Sequence, residues 1–223
     1  MQEVDYRKLV ASKLEAKGRT VFQELPMRYD IGSYERGASF GMPNCFLDIV
    51  LFDEEKRFHI YELKVIGNNE IWTGKFFGQL LLYNFLFRTE PWNELAGRLV
   101  MRAKQRPELV NGEIDAPLEH LASFGAGEVA DEDDPNASVS SLNLVVCGGE
   151  GFELAAGYNP VIWSFWVEFS ELLEQQQTDF NIFHFYCDGE DYRFDAIQKL
   201  SVDEPNSLTK NAQEAYRRLE LDG

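Results

Sequence analysis

Two stretches of the chain put charged side chains where apolar ones are expected. Cys45-Phe46-Leu47-Asp48-Ile49-Val50-Leu51-Phe52 and Phe58-His59-Ile60-Tyr61-Glu62-Leu63-Lys64-Val65 are strands by composition, yet they carry Asp48, Glu62 and Lys64. Alternate residues of a strand share a face. Glu62 and Lys64 should therefore point the same way as Phe58 and Ile60, and Asp48 with Phe46, Val50 and Phe52. Burying two carboxylates and an ammonium is costly unless they pair or bind a metal. With the Leu63 carbonyl, Asp48 and Glu62 offer the hard oxygen ligands that Mg²⁺ prefers. A lysine one pleat away can orient a water or stabilise charge developing on a phosphate. The competing reading is a buried salt bridge or a wet strand face. Against it stand the short hairpin and the otherwise apolar make-up of both strands.

The next apolar segment, read as a largely buried helix over Ile71–Phe87, is interrupted by Lys75, Gln79 and Tyr83 at i, i+4 and i+8 of one face. A glutamine amide and a phenol inside such a helix need polar partners. A metal-bound water or a nucleic-acid phosphate would serve, as would an ordinary hydrogen bond to a buried tyrosine.

Taken together, Asp48, then Glu62-Leu63-Lys64, then Gln79-Leu80-Leu81-Leu82-Tyr83 resembles the PD-(D/E)xK nuclease superfamily, in its RecB-like branch with a Gln-x-x-x-Tyr motif. The resemblance covers residues 1 to about 90, with a later strand at Leu142–Cys147 to complete a four-stranded core. It implies a restriction-endonuclease-like three-layer core, a mixed central sheet flanked by helices, and an acidic C-terminal elaboration. It also implies that Asp48, Glu62 and the Leu63 carbonyl bind Mg²⁺ or Mn²⁺, that Lys64 serves the attacking water, and that Gln79 and Tyr83 support the substrate phosphate. A further carboxylate is expected from the first helix. Glu3 suits it because it lies on the face of Val10 and Leu14, with Glu15 as the alternative. Leu47 stands where the family's name has proline, a common departure. The implied activity is hydrolysis of phosphodiester bonds in DNA or RNA, within a defence or repair system.

Other reactive residues read as structural. His59 has the opposite strand parity from Glu62 and Lys64, so it should be a packing histidine, like His184 within Phe180–Tyr186, while His120 should lie at the surface. Cys45 has no histidine at catalytic spacing. Trp163, Phe165, Trp166 and Phe169 suggest core packing on a helix, and Gly148-Gly149-Glu150-Gly151 a plain turn without the Lys-Ser/Thr of a phosphate loop.

The elements that must position these residues follow from periodicity and breakers. A helix is expected over 3–17, a strand over Val21–Tyr29 whose far end, at Pro26, is an edge, and a loop over Ile31–Asn44. Asp53-Glu54-Glu55-Lys56 joins the two charged strands as a hairpin. Further helices are expected over Pro91–Arg106, Pro160–Gln177 and Leu208–Leu219, with a hairpin of Phe180–Cys187 and Tyr192–Ile197. Glu108–Asn136, with Gly125, Gly127 and the run Asp131–Asp134, reads as a loop-rich acidic insertion of about residues 107–140. The whole makes one α/β domain over residues 1–223, its core motifs within 1–90 and its remaining strands and helices within 141–223.

The 223 residues are 44% hydrophobic and 13% aromatic, which supports a folded globular chain. No apolar run reaches the roughly 20 residues of a membrane span. The N-terminus lacks the apolar core of a signal peptide, and three scattered cysteines make no disulfide framework, so a cytoplasmic protein is expected. The net charge of −17 is unevenly spread: residues 1–100 hold 13 basic and 14 acidic residues, whereas none of residues 107–192 is Lys or Arg. A polyanion should therefore meet the N-terminal half, where Arg7, Lys8, Lys13, Lys17, Arg19, Arg28 and Arg36 could track a backbone. The acidic half implies a protein partner, or a non-catalytic subunit whose surface imitates nucleic acid. The intact trio Asp48, Glu62 and Lys64 favours the enzyme.

Overall fold

A computed structural model describes residues 2–15, 19–27, 45–66, 68, 70–71, 75–89, 92–126, 139–149, 168–188 and 191–196. The elements in chain order are α1 (Glu3–Leu14), β1 (Thr20–Met27), β2 (Cys45–Phe52), β3 (Phe58–Val65), α2 (Lys75–Thr89) and α3 (Trp92–Gln105). A 3-10 turn (Pro107–Leu109), β4 (Val110–Asn111), α4 (Asp115–Ala126), β5 (Val139–Cys147), β6 (Asp179–Asp188) and β7 (Asp191–Ala196) follow. Residues 168–174 are helical. Among the described residues no helix is long and apolar enough to cross a membrane.

The strands form one mixed seven-stranded sheet in the order β4-β1-β2-β3-β5-β6-β7. β1, β2 and β3 are joined antiparallel, β5 runs parallel to β3 and β6 parallel to β5, and β7 returns antiparallel. Helices cover both faces. On one face Val10, Ala11 and Leu14 of α1 pack on Val21, Ile49, Leu51, Tyr61, Leu63, Val145 and Phe185. On the other, Phe76, Leu80 and Phe87 of α2, Leu95 and Leu99 of α3, and Leu121 of α4 enclose Phe22, Val50, Phe58, Ile60, Leu144 and Val146. Each such Val, Leu, Ile or Phe side chain stabilises the fold by ~1.5–3 kcal/mol relative to exposure.

Local chemistry explains the elements that hold the site. In α1 the Asp5 carboxylate accepts the Gln2 N–H at 3.1 Å, and Glu3 and Asp5 lie in the first turn with Lys13 in the last, all matched to the helix dipole. Its buried face is Arg7, Val10, Ala11 and Leu14, which is the i, i+3, i+4, i+7 stripe. The β2–β3 hairpin is tied by Asp53, whose Oδ1 accepts the N–H groups of Glu55 and Arg57 at 2.9 Å each. β1 pairs with β4 only at Val21 and Phe22, so among the described residues Pro26 lies on an outer edge, where its missing N–H costs nothing.

The segment from Glu108 departs from the expected loop, being ordered as the 3-10 turn, β4 and α4 as far as Ala126. Pro117 falls in the first turn of α4, where a helix tolerates it, and Leu118 and Leu121 pack on the core. His120 is correspondingly half-buried, its ring 5.3 Å from that of Phe52, and not at the surface. The loop over Ile31–Asn44, the acidic run Asp131–Asp134, Trp163 to Trp166 and the helix over Leu208–Leu219 lie outside the described residues.

Candidate active site

The site begins where the sheet parts. The β2–β3 ladder runs from Phe52↔Phe58 to Ile49↔Tyr61 and stops there. β2 stays with β1 as far as Met27↔Cys45, while β3 stays with β5 as far as Val65↔Cys147. Between them the next acceptor for β3 is a side chain: Leu63 donates its N–H to Asp48 Oδ2 at 2.9 Å. Backbone N–H and C=O of one strand residue point to the same side. The Leu63 carbonyl therefore also faces the parting, beside Asp48.

Across β1 from Asp48 stands Glu24, with φ +49 and no place in the β1–β2 register between Gln23↔Ile49 and Leu25↔Leu47. Strand alternation slips at this point. Val50 and Phe52 join the α2-side core as expected, but so does Leu47, while Phe46 is 48% exposed. The simple alternation that put Asp48 with Phe46 therefore fails at Asp48 itself.

Glu62 and Lys64 lie side by side on β3, facing the α2 side with Phe58 and Ile60, and are 2% and 6% exposed. Lys64 Nζ donates to Glu62 Oε1 at 2.5 Å and lies 3.2 Å from Glu70 Oε2. No N–H or hydroxyl donor reaches the buried Glu62 Oε2, and the Glu62 carboxyl lies beside that of Asp48. From α1, Arg7 pairs with Glu24 and brings Nη1 within 3.7 Å of Asp48 Oδ1.

These carboxylates are held at unusual affinities. Burial first, and then the charge of Asp48, pushes Glu62 up to about 8 against the pull of Lys64. Burial likewise raises Asp48, opposed by the Leu63 N–H, Lys64, Arg7 and a hydrogen bond with the Glu62 carboxyl. Glu3 is raised by burial and next by Asp48, which places it in the field of the same group. Burial alone would lower Lys64, but Glu62, Asp48 and Glu70 reverse this and hold its ammonium above the usual lysine value. The Lys64 ammonium and the Arg7 guanidinium face Glu3, Glu24, Asp48, Glu62 and Glu70, two cations among five carboxyl groups. A divalent cation suits this excess.

The residues present fit such an ion. Asp48, Glu62 Oε2 and the Leu63 carbonyl would hold it, with Glu3 at the margin. Among the described residues no three His, Cys, Asp or Glu side chains gather into a metal-holding group by themselves. A set of two carboxylates and a carbonyl is compatible with that finding, because Mg²⁺ commonly keeps several of its waters.

Of the two first-helix candidates, Glu3 belongs to this neighbourhood. Glu15 instead accepts a hydrogen bond from Asn111 Nδ2 at 3.0 Å. Gln79 is half-buried on α2 and its Oε1 has no hydrogen-bond partner, while Tyr83 is buried in the core cluster on the same side of the sheet as Glu62 and Lys64. Arg7, read from sequence as a backbone-tracking cation, is buried and engaged with Glu24. Lys8 and Lys13 are exposed, and Lys17, Arg28 and Arg36 lie outside the described residues. Glu24 and Glu70 were not singled out by sequence; a carboxylate closely following Glu-x-Lys was the one signal for Glu70.

The remaining reactive groups are spent on structure. His59 is bonded on both nitrogens, to Ser141 Oγ at 2.7 Å and Asp53 Oδ2 at 2.8 Å. His184 is buried, with Nε2 3.2 Å from the Gly148 carbonyl and its ring stacked on Tyr186. Gly148 and Gly149, with φ +81 and +73, turn the chain out of β5. No protein-family model, curated protein or solved structure matches the chain.

Proposed function

We propose that the protein is a Mg²⁺- or Mn²⁺-dependent nuclease that hydrolyses phosphodiester bonds, with DNA favoured over RNA as its substrate. The observation that carries this reading is the gathering, where the sheet parts, of Asp48, Glu62 with a buried oxygen that no N–H or hydroxyl donor reaches, and the buried ammonium of Lys64. Asp48 and Glu62 are the ion-holding carboxylates, aided by the Leu63 carbonyl. Such an ion supplies Lewis acidity toward a phosphoryl oxygen and makes a water acidic enough to attack at neutral pH. Lys64 orients the attacking water and offsets charge that develops on the phosphate. Gln79 through its amide N–H groups and Tyr83 through its hydroxyl support the substrate phosphate from the α2 side.

The restriction-endonuclease-like core belongs to this proposal. The order α1, β1, β2, β3, α2 and then β5 parallel beside β3 supports it, with α3, β4, α4, β6 and β7 as additions. Cleavage of circular and linear DNA, single- and double-stranded, with Mg²⁺, Mn²⁺ or EDTA, tests the reading. Metal-dependent cutting that Asp48→Asn and Lys64→Ala abolish while remaining folded is the expected result. Full activity in either variant would overturn it.

A second reading concerns the acidic half. Glu108, Glu113, Asp115, Glu119, Glu171 and Glu174 are all exposed, which favours a basic protein partner for this surface and leaves the N-terminal half for nucleic acid. Co-purification that survives low salt and is lost at high salt would support it.

A further inference from the structure

We propose that Glu70 is a positioning residue that acts through Lys64, holding part of its ammonium away from Glu62 so that a divalent cation can share the Glu62 carboxylate. The inference rests on the reading of Asp48 and Glu62 as a cation site. Lys64 Nζ sits between two carboxylates, 2.5 Å from Glu62 Oε1 and 3.2 Å from Glu70 Oε2. An ammonium bonded to Glu62 opposes any cation that approaches the same carboxylate, and at such short range in a buried site that opposition is strong. Glu70 gives the ammonium a second seat.

The seat is built into the fold. Directly after β3 the chain turns, with Asn68 N–H donating to the Val65 carbonyl at 3.0 Å and Ile71 N–H to the Asn68 carbonyl at 3.1 Å. Asn68 Oδ1 accepts the Glu70 N–H at 2.9 Å, an Asx turn that fixes the backbone of Glu70. Ile71 is fully buried in the α2-side core and anchors the far end of the turn. Glu70 itself is partly exposed, whereas Glu62 is buried.

A double-mutant cycle on the full chain tests this, with Mn²⁺ alone titrated by calorimetry into wild type, Glu70→Gln, Lys64→Met and the double variant, and Asp48→Asn as the reference. Lys64→Gln replaces Lys64→Met if the latter does not fold. Glu70→Gln should weaken Mn²⁺ binding about fivefold or more when Lys64 is present, and by less than about twofold in its absence. The same loss in both backgrounds would mean that Glu70 attracts the cation directly, and would overturn the proposal. Mn²⁺ binding that Asp48→Asn leaves unchanged would overturn the cation site itself. A loss in Asp48→Asn together with an additive cycle would remove only the role of Glu70.

Discussion

The carboxylate of Asp48 takes the backbone N–H of Leu63 at 2.9 Å, at the point where the β2–β3 ladder has ended. One side chain thus caps the parting of two strands and stands among the candidate ligands. Structure and chemistry are separable here because an amide can accept the same hydrogen bond without carrying the charge. Asp48→Asn is expected to remain close to wild type in stability. Asp48→Ala, which leaves the Leu63 N–H without its acceptor, should lose about 1–3 kcal/mol in urea denaturation. Equal stability of the two variants would contradict the capping role.

Cation binding should register as stability. Mn²⁺ at about a hundred times its dissociation constant stabilises a folded site by ~2.7 kcal/mol, which in a chain of this size raises Tm by several degrees. Differential scanning fluorimetry should show this rise for wild type and not for Glu62→Gln, whose side-chain oxygen no longer carries charge. A rise of the same size in both would place the ion elsewhere.

The hairpin carries its own pH dependence. Burial pushes Asp53 up, but His59 and Arg57 outweigh it and hold the carboxyl below the ordinary aspartate value of 3.8. A depressed folded-state value adds stability that is present above the ordinary value and lost as pH falls through the folded one. Urea midpoints measured from about pH 6 to about pH 2.5 should therefore fall more steeply in wild type than in Asp53→Asn, with the difference confined to the region below about pH 4. Parallel curves would show that Asp53 is not so held.

Two glycines should answer alanine oppositely. At Gly148, φ is +81 and a Cβ would come 2.7 Å from Tyr6 Oη, so Gly148→Ala is expected to cost ~1–3 kcal/mol and to loosen α1, readable as faster amide exchange of α1. At Gly78, on α2, a Cβ meets nothing within 4 Å, and Gly78→Ala should stabilise by ~0.5–1 kcal/mol. A stable Gly148→Ala would show that the turn after β5 does not clamp α1.

The charged strand residues could be read directly because their anomaly is local: Asp48, Glu62 and Lys64 are charged positions in otherwise apolar strands, and period two alone puts Glu62 beside Lys64. The face of Glu3 was equally local, since 3, 7, 10, 11 and 14 form one helical stripe. The α/β class, the β2–β3 hairpin and the satisfied state of His59 followed from the same short-range rules. Other features depended on what distant segments bring. Arg7 looks like any helix cation until Glu24, seventeen residues later, meets it from β1. The slip in alternation at Asp48 coincides with the left-handed backbone of Glu24 on the neighbouring strand, a pairing that no periodicity within β2 encodes. Glycines and acids hid α4, which forms because Leu118 and Leu121 find a core to cover. By itself the sequence determined which groups would be costly to bury. Only the tertiary structure decided where they meet, because parting β2 from β3 and seating Lys64 between two carboxylates are pairings across elements, set by the packing of the sheet.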